Sequence, residues 1–219
     1  IVPVHYAGVS CEMDYIMDCA KSHELWVIED AAQALLSTSD SRFLGSIGHL
    51  GCLSFHETKN IISGEGGALL VNDTHLVQRA EILREKGTNR NQFFRGEVDK
   101  YTWVDIGSSY LPSELVGAFL YAQLEQSDKI IAVRKRLFNR YLEKLKPLVE
   151  NGMIRLPFTR KGSESNGHIF YIITENLETR NKLIGHLRQS NIYAVFHYVP
   201  LHTSPAGIKY GRADGSMKI

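Results

Sequence analysis

The sequence predicts an α/β fold, and three consecutive patterns near its start indicate this class. Residues 1–4 form a short apolar segment, and residues 12–23 carry apolar side chains at helical spacing. Residues 25–30, Leu-Trp-Val-Ile-Glu-Asp, form an apolar run that ends in two acids, as the buried strands of parallel sheets do. We expect Ser10 to cap the helix. Together the segments predict a right-handed βαβ unit, whose ligand site lies at the carboxyl ends of its strands.

Further strands and helices are expected in the first part of the chain. Residues 52–55 and 67–72 predict two short strands. Residues 74–86 predict a helix that Gly87 closes, because glycine is favoured just past a helix end. Residues 88–109 lack clear periodicity and predict a long loop, and loops of that length tend to carry function.

The second part of the chain has the composition of a small α+β domain. A helical pattern opens at Ser113, after a proline, and extends as far as residue 148. That length favours a bend near residues 127–128. Beyond it, the patterns predict strands at 154–156, 168–174 and 194–198, and a helix at 178–189. We therefore predict two domains, residues 1–126 and residues 127–219.

Composition and charge exclude several classes of partner. The chain has 25 basic and 24 acidic residues, so no basic excess favours nucleic acid. No apolar run approaches the ~20 residues of a membrane span. The cysteines, Cys11, Cys19 and Cys52, are odd in number and lack metal-ligand spacing. We therefore expect a cytoplasmic protein without a metal site, a nucleic-acid partner or a membrane association.

Lys59 is the residue whose surroundings most strongly indicate chemistry. It follows Ser54 in the segment Ser-Phe-His-Glu-Thr-Lys-Asn, and a glycine-rich turn comes at residues 64–67. A neutral lysine amine can form a Schiff base with pyridoxal phosphate and then move protons, while glycines let the backbone approach a ligand closely. A surface lysine beside a hairpin turn has the same local pattern, so spacing alone leaves both interpretations open.

Asp30, upstream of the lysine, is the expected partner of such a cofactor. A carboxylate paired with the pyridine nitrogen keeps that nitrogen protonated, so that the ring can withdraw electrons. Gln33 could hydrogen-bond the phenolic oxygen, Ser54 could donate to a phosphate oxygen, and His56 could face the site. Each of these residues also has an ordinary structural interpretation, as a strand cap, a turn residue or a satisfied histidine.

The predicted long loop contains a segment that mixes hydrogen-bond donors with aromatic rings, Asn-Arg-Asn-Gln-Phe-Phe-Arg at residues 89–95. Asn89 and Arg90 are candidates for binding the phosphate or sugar of a substrate, because arginine forms bidentate contacts with phosphate. A solvated loop would have the same composition, and this alternative stays open.

Taken together, the motifs resemble a known enzyme family. The residues that carry the resemblance are Val4 to Gly8, Glu29 to Ala34, Gly48 to Gly51, Ser54 to His56, Thr58 to Asn60, Gly64 to Ala68 and His197 to His202. Over nearly its whole length the chain is similar to the DegT/DnrJ/EryC1/StrS nucleotide-sugar aminotransferases. The resemblance implies the aspartate-aminotransferase type I fold. Residues 1–126 would be part of the large domain that binds pyridoxal phosphate, and residues 127–219 a truncated small α+β domain.

The resemblance also implies roles for individual residues. Lys59 would be the Schiff-base lysine, and Asp30 the partner of the pyridine nitrogen. Gln33 would contact the cofactor, and Ser54 would bind its phosphate. Ser109 stands where many family members have an asparagine that reaches the cofactor phosphate of the neighbouring subunit. The resemblance therefore implies a homodimer or higher homo-oligomer.

A further set of motifs resembles a narrower group within the family, and these motifs are residues 86–90, 93–96, 98–103 and 105–111. This resemblance implies transfer of an amino group from L-glutamate to C4 of dTDP-4-keto-6-deoxy-D-glucose, in the synthesis of enterobacterial common antigen. The alternatives are an aminotransferase for another nucleotide-linked keto sugar and a non-catalytic protein of the same fold. Dehydratase relatives have histidine in place of the lysine, so Lys59 argues against that chemistry.

The sequence opens within an apolar segment and closes without an obvious final element. We therefore expect it to be an internal part of a longer protein. The family's N-terminal phosphate clamp, the aromatic residue that stacks on the cofactor ring, and the last strand and helix would then lie outside residues 1–219. We expect this segment alone to bind pyridoxal phosphate weakly or not at all.

Overall fold

The structure, a computed structural model, describes residues 1–213 and 215 of the chain. In chain order its helices and strands are α1 (Met13–Ser22), β1 (Ile28–Asp30), β2 (Thr38–Ser39), β3 (Arg42–Phe43), β4 (Leu50–Ser54), β5 (Gly67–Val71), α2 (Val77–Arg84), α3 (Arg90–Phe94), α4 (Glu114–Glu125), α5 (Ser127–Glu150), β6 (Ile154–Arg155), β7 (Ser163–Glu164), β8 (Ile173–Thr174), α6 (Leu177–Gln189) and α7 (Pro205–Tyr210). Short 3₁₀ turns lie at Tyr6–Gly8, Thr74–Leu76 and Leu201–Thr203.

The chain divides into two compact units. The first contains residues 1–147 and 156–171, and the second contains residues 148–155 and the described residues from 172 onward. The boundary that the sequence predicts between residues 126 and 127 concerns the domains of the complete fold, and it stays a prediction.

The main sheet of the first unit has three strands in the order β1-β4-β5. Strands β1 and β4 run parallel, with Asp30 beside Cys52. Strands β4 and β5 run antiparallel, with Ser54 opposite Gly67. Val4 adds a single parallel bridge to Asp30 on the other side of β1. The carboxyl ends of β1 and β4 therefore share one edge of the sheet, and β5 begins at that edge.

Two apolar clusters hold the neighbouring segments in place. Met13 and Ala20 of α1 are seven residues apart, which puts them on one face of the helix, and they pack with Val27 just before β1. Ala31 and Leu44 belong to a second buried cluster, beneath the segment that follows β1. The first cluster packs the crossover helix α1 against the start of β1. The second holds the backbone that directly follows Asp30.

The long helical region begins and bends where the sequence predicts. The Ser113 hydroxyl accepts a hydrogen bond from the backbone N–H of Val116 at 3.4 Å and so caps α4. Helix α4 ends at Glu125 and α5 begins at Ser127, which confirms the expected bend. Charged residues recur along α5. Among the described residues, no helix is both long and apolar enough to span a membrane.

The second unit combines a short strand pair with helices. Strands β6 and β8 pair antiparallel, with Ile154 beside Thr174. The side chain of Asn176 accepts a hydrogen bond from the N–H of Thr179 at 2.9 Å and caps α6. The α+β composition expected for this part of the chain is therefore present in the described residues.

Several local predictions were wrong. Residues 1–4 form a single bridge, at Val4, instead of the first strand of the predicted βαβ unit. Helix α1 lies within the predicted range of residues 12–23, but its cap was predicted wrongly. The hydroxyl of Ser10 does not cap that helix because it donates to the carbonyl oxygen of Cys11 at 2.6 Å. The expected loop at 88–109 includes the short helix α3. Residues 194–198 form no strand, because no neighbouring strand among the described residues pairs with them.

Substituting Gly51 with alanine should destabilise the first unit. The added Cβ would overlap the carbonyl oxygen of Gly45, and a backbone atom cannot rotate away as a side chain can. We expect a loss of about 3 kcal/mol in the free energy of unfolding, measured by urea denaturation. Gly117 in α4 is the matched control, because nothing lies within 4 Å of its Cβ position. Gly117→Ala should stabilise by about 0.5–1 kcal/mol. Equal unfolding midpoints for the two variants would contradict the prediction.

Candidate active site

The carboxyl edge of the main sheet brings together residues from two separate segments. Asp30 ends β1 and Ser54 ends β4, and the parallel pairing puts both at the same edge. Ligands of α/β sheets bind at this edge, where strand ends and their loops meet. The loop that carries Lys59 leaves from Ser54 and returns to Gly67, so it lies at this edge as well.

The Lys59 loop, defined as residues 55–66, is closed by its own backbone. The N–H of Phe55 donates to the carbonyl of Gly66 at 2.9 Å, and the N–H of Glu57 donates to the carbonyl of Gly64 at 2.9 Å. Both glycines have positive φ, +83° at Gly64 and +138° at Gly66, which other residues adopt only with strain. The glycine-rich turn at residues 64–67 thus returns the chain to β5 and closes a tight loop around the lysine.

Asp30 keeps one carboxylate oxygen available. Its Oδ1 accepts the N–H of Ala32 at 3.1 Å, and its backbone N–H donates to the carbonyl of Pro3 at 2.9 Å. Its Oδ2 has no hydrogen-bond partner among the described residues. A carboxylate oxygen of this kind can accept a hydrogen bond from a protonated ring nitrogen.

Gln33 is oriented by a backbone contact. Its Oε1 accepts the N–H of Ala7 at 2.6 Å, so Nε2 is the side-chain atom that does not take part in this contact. Within the described part of the chain, that nitrogen has no acceptor. Ala7 has a φ of 57°, an unusual left-handed conformation for alanine that departs from the helical values of the 3₁₀ turn around it. The Gln33 amide is therefore held in one orientation with two N–H donors available.

Ser54 and His56 make contacts at the start of the Lys59 loop. The Ser54 hydroxyl oxygen accepts the N–H of His56 at 3.4 Å, and its own hydrogen finds no acceptor in residues 1–213. The His56 Nδ1 lies 2.8 Å from the Thr58 hydroxyl, and its Nε2 lies 3.7 Å from a carboxylate oxygen of Glu65. The ring of His56 therefore contacts its own loop, whereas Ser54 retains a donor.

The candidate residues of the 88–109 segment are held by contacts within their own region. Asn89 accepts the N–H of Thr102 at 2.8 Å through Oδ1. Arg90 pairs with Glu85 at 2.7 Å, and its guanidinium stacks over the ring of Phe94 at 5.1 Å. Ser109 forms an isolated bridge with Glu85. Arg90 and Ser109 thus contact Glu85, whereas Asn89 contacts Thr102, and the binding roles of all three stay predictions.

Glu29, the first of the two acids that end the apolar run at residues 25–30, is fully buried next to Asp30. Its carboxylate accepts four hydrogen bonds, from His5 Nε2 and from the backbone N–H groups of Gly45, Ile47 and Gly48, at 2.6–2.8 Å. Burial raises the pKa of Glu29, but the four hydrogen bonds lower it by more, so its pKa lies below the usual range. Successive strand residues point to opposite faces, which separates Glu29 from its neighbour.

A polar network behind the lysine was missed entirely in the sequence. Asn60 donates from Nδ2 to the carbonyl of Asn166 at 3.1 Å, and its Oδ1 lies 2.8 Å from His168 Nδ1. Asn166 donates from its side chain to the carbonyl of Gln33 at 3.0 Å. The only sequence feature that could have indicated this network is that Asn60 directly follows Lys59. Its partners at residues 166–168 are more than a hundred positions away from it in the chain.

A comparison with protein-family models identifies the family of the chain. The model of the DegT/DnrJ/EryC1/StrS aminotransferase family matches residues 1–216. The chain belongs to this family. That membership confirms the resemblance inferred from the motifs around Asp30 and Lys59. It also confirms the α/β fold class of an aspartate-aminotransferase type I domain, since solved family members superimpose on the chain.

Individual relatives share about one third of their aligned residues with this chain. The GDP-perosamine synthase of Caulobacter vibrioides is 33% identical over 212 residues, which is 94% of this chain and 53% of that protein. The dTDP-3-amino-3,4,6-trideoxy-alpha-D-glucose transaminase of Streptomyces venezuelae is 31% identical over 99% of this chain and 54% of its own length. The crystal structure of S. venezuelae DesV in complex with a ketimine intermediate has a TM-score of 0.83 and 32% identity, and it matches 98% of this chain and 54% of that one. The chain thus spans about half the length of its DegT/DnrJ/EryC1/StrS relatives.

Replacing Glu29 with glutamine should weaken the fold and change its response to acid. The amide would present N–H groups where backbone donors already point, and we expect a loss of about 3–5 kcal/mol at pH 7, measured by denaturant unfolding. Because the folded pKa of Glu29 lies below its ordinary value of 4.5, its contribution is present above that pH and is lost as the pH falls. The wild-type stability should therefore drop with acid more steeply than that of Glu29→Gln.

The exposed Glu143 of α5 is the matched control for this experiment. Glu143→Gln should leave both the stability at pH 7 and the acid dependence within about 0.5 kcal/mol of wild type, as is usual for surface substitutions. Parallel acid dependences for wild type and Glu29→Gln would contradict the assigned role of the buried carboxylate.

Proposed function

We propose that the protein is a nucleotide-sugar aminotransferase that uses pyridoxal phosphate, with Lys59 as its catalytic lysine. The observation that carries the proposal is the set of groups left available at one sheet edge. Asp30 keeps a carboxylate oxygen, Gln33 keeps amide N–H donors and Ser54 keeps a hydroxyl donor. Family membership and the transaminase names of the relatives support the same activity.

The chemistry of these groups fits the cofactor. The Ser54 hydroxyl would donate to a phosphate oxygen, and the Gln33 amide would donate to the phenolic oxygen. The Asp30 carboxylate would accept a hydrogen bond from the ring nitrogen and keep it protonated. When bound, pyridoxal phosphate supplies an aldehyde that condenses with amines and a ring that withdraws electrons from the attached carbon.

Lys59 would supply both a nucleophile and a proton carrier. Its Nζ forms no salt bridge with a carboxylate among the described residues, so the amine is available to a ligand. In the neutral state Nζ would bond to the cofactor's aldehyde carbon with loss of water. Once the amine of the amino donor displaced it, the free Nζ would take a proton from one carbon and return it to another. The tight Lys59 loop limits the positions from which the amine can do this.

The proposed donor and acceptor are L-glutamate and dTDP-4-keto-6-deoxy-D-glucose. The products would be 2-oxoglutarate and dTDP-4-amino-4,6-dideoxy-D-galactose, for enterobacterial common antigen. The motifs at residues 86–111 support this substrate through their resemblance to the narrower group. The names of the relatives include both GDP-linked and dTDP-linked sugars, and they favour another nucleotide-linked keto sugar as the second candidate.

We further propose a cytoplasmic homodimer in which residues 89–110 contribute to the neighbouring subunit's site. Large apolar side chains in and beside this segment are exposed in the single chain, including Trp103, Ile106 and Leu115 at 77–83%. A second subunit would bury them, as dimer interfaces do. Asn89, Arg90 and Ser109 would then act across the interface, Ser109 as a phosphate contact and the other two on the sugar nucleotide.

Lys59→Ala should abolish transamination in the complete protein. Without the amine, the proton transfer has no carrier, and we expect at least a ~1,000-fold loss of kcat, measured as 2-oxoglutarate formation. Borohydride reduction of the loaded wild type should leave a pyridoxyl group on Lys59, identified by peptide mass spectrometry. The exposed Lys161 serves as control, and Lys161→Ala should keep wild-type turnover. Full activity in Lys59→Ala would refute the assignment.

The substrate is tested by product analysis. The complete protein, incubated with L-glutamate and dTDP-4-keto-6-deoxy-D-glucose, should yield an amine at C4 in the galacto configuration, read from NMR coupling constants. A parallel incubation with a GDP-linked keto sugar tests the second candidate. A kcat/KM at least about tenfold higher for the GDP sugar would reverse the choice of substrate.

A further inference from the structure

The side chain of Asn60 joins the Lys59 loop to a distant part of the chain. Asn60 directly follows the lysine and is buried. Its Oδ1 can only accept, so the hydrogen in the 2.8 Å contact belongs to His168 Nδ1. The His168 ring is therefore an Nδ1–H donor to Asn60. Its Nε2 has no hydrogen-bond partner in the described residues.

Asn166 links the same junction to the segment that carries Gln33. Its side-chain nitrogen donates to the carbonyls of Gln33 and Leu35 at 3.0 and 2.9 Å. Its Oδ1 accepts the backbone N–H of His168 at 3.0 Å, so it also sets the position of the imidazole. Asn166 is almost fully buried and has every polar group of its side chain satisfied. The network thus joins two segments that reach the sheet edge.

The charge state of His168 fits a permanent hydrogen-bond donor. Burial lowers the pKa of His168 to about 4, and the charges of Lys59 and Arg134 lower it in the same direction. The ring is therefore neutral at physiological pH, where a neutral imidazole has one N–H and one lone pair. With the proton on Nδ1, the hydrogen bond to Asn60 persists without adding a positive charge beside the lysine.

We propose that His168 is a positioning residue for Lys59, since its Nδ1–H fixes the Asn60 amide and Asn60 fixes the backbone that carries the catalytic amine. The inference rests on the proposed function of Lys59. Its effect is to restrict the arc through which Nζ moves, because the residue after the lysine is tied to a third segment of the chain. Displacements of about 1 Å at a catalytic group can cost two orders of magnitude in rate.

Two amide substitutions separate this role from simple packing. In His168→Asn the side-chain nitrogen reaches nearly the position of Nδ1, whereas in His168→Gln the longer chain puts its nitrogen nearer the position of Nε2. The two residues have the same polarity, so a loss of packing or burial affects both. In the complete protein we expect His168→Asn to keep kcat within about threefold of wild type and His168→Gln to lose about 10- to 100-fold, with KM for L-glutamate unchanged.

A measurement that does not depend on turnover tests the geometry itself. In the ¹⁵N-labelled chain without cofactor, the ring nitrogen shifts of His168 should report the Nδ1–H tautomer at pH 7, and the Asn60 side-chain amide signals should shift in His168→Gln but not in His168→Asn. The exposed His186 is the control, and His186→Gln should change neither kcat nor the Asn60 signals.

Specific outcomes overturn the inference. An Nε2–H tautomer in wild type would remove the donor, and equal kcat values for folded His168→Asn and His168→Gln would show that the donor position is irrelevant. Thermal melting of both variants identifies any that fail to fold, and the tautomer measurement then decides alone. Failure of the proposed function has a different signature, which is wild-type turnover in Lys59→Ala.

Discussion

The buried carboxylate of Glu29 is the interaction on which the rest of the site depends. Four N–H groups converge on it, from His5 and from the turn at residues 45–48, so one side chain joins three separate segments. A buried charge without such partners would cost several kcal/mol, and each donor without the carboxylate would be left unsatisfied. The carboxyl end of β1 therefore has one stable arrangement. Because Asp30 directly follows Glu29, that arrangement also determines the position of Asp30.

The candidate site is assembled in layers that have different tasks. Asp30, Gln33 and Ser54 each use one polar atom to bind the protein and keep another available. Behind them, the side-chain amides of Asn60 and Asn166 have both their oxygen and their nitrogen hydrogen-bonded. A rigid binding site is expected to have side chains with free hydrogen-bonding atoms facing the ligand and fully hydrogen-bonded side chains supporting them.

Local signals in the sequence predicted much of the fold. The glycines at 64–67 predicted the tight turn after Lys59, and Ser113 after a proline predicted the start of α4, because both depend on neighbouring residues only. The strand expected at 194–198 depends on a pairing partner, which no local pattern can supply. The bond between Asn60 and His168 joins residues 108 positions apart, and an unremarkable asparagine and histidine have no periodicity that would predict it.

The adjacency of Glu29 and Asp30 has a consequence for the register of β1. A slip of one residue would exchange the two faces of the strand and turn the Asp30 side chain, one methylene shorter, toward the turn at residues 45–48. Glu29 would then occupy the ligand edge without its four donors. Only one alignment of β1 on β4 gives both carboxylates suitable surroundings. The two adjacent acids therefore specify the alignment of β1 on β4 as well as the chemistry of the site. A one-residue deletion between residues 24 and 28 would shift that alignment, so it would be far more harmful than a substitution there.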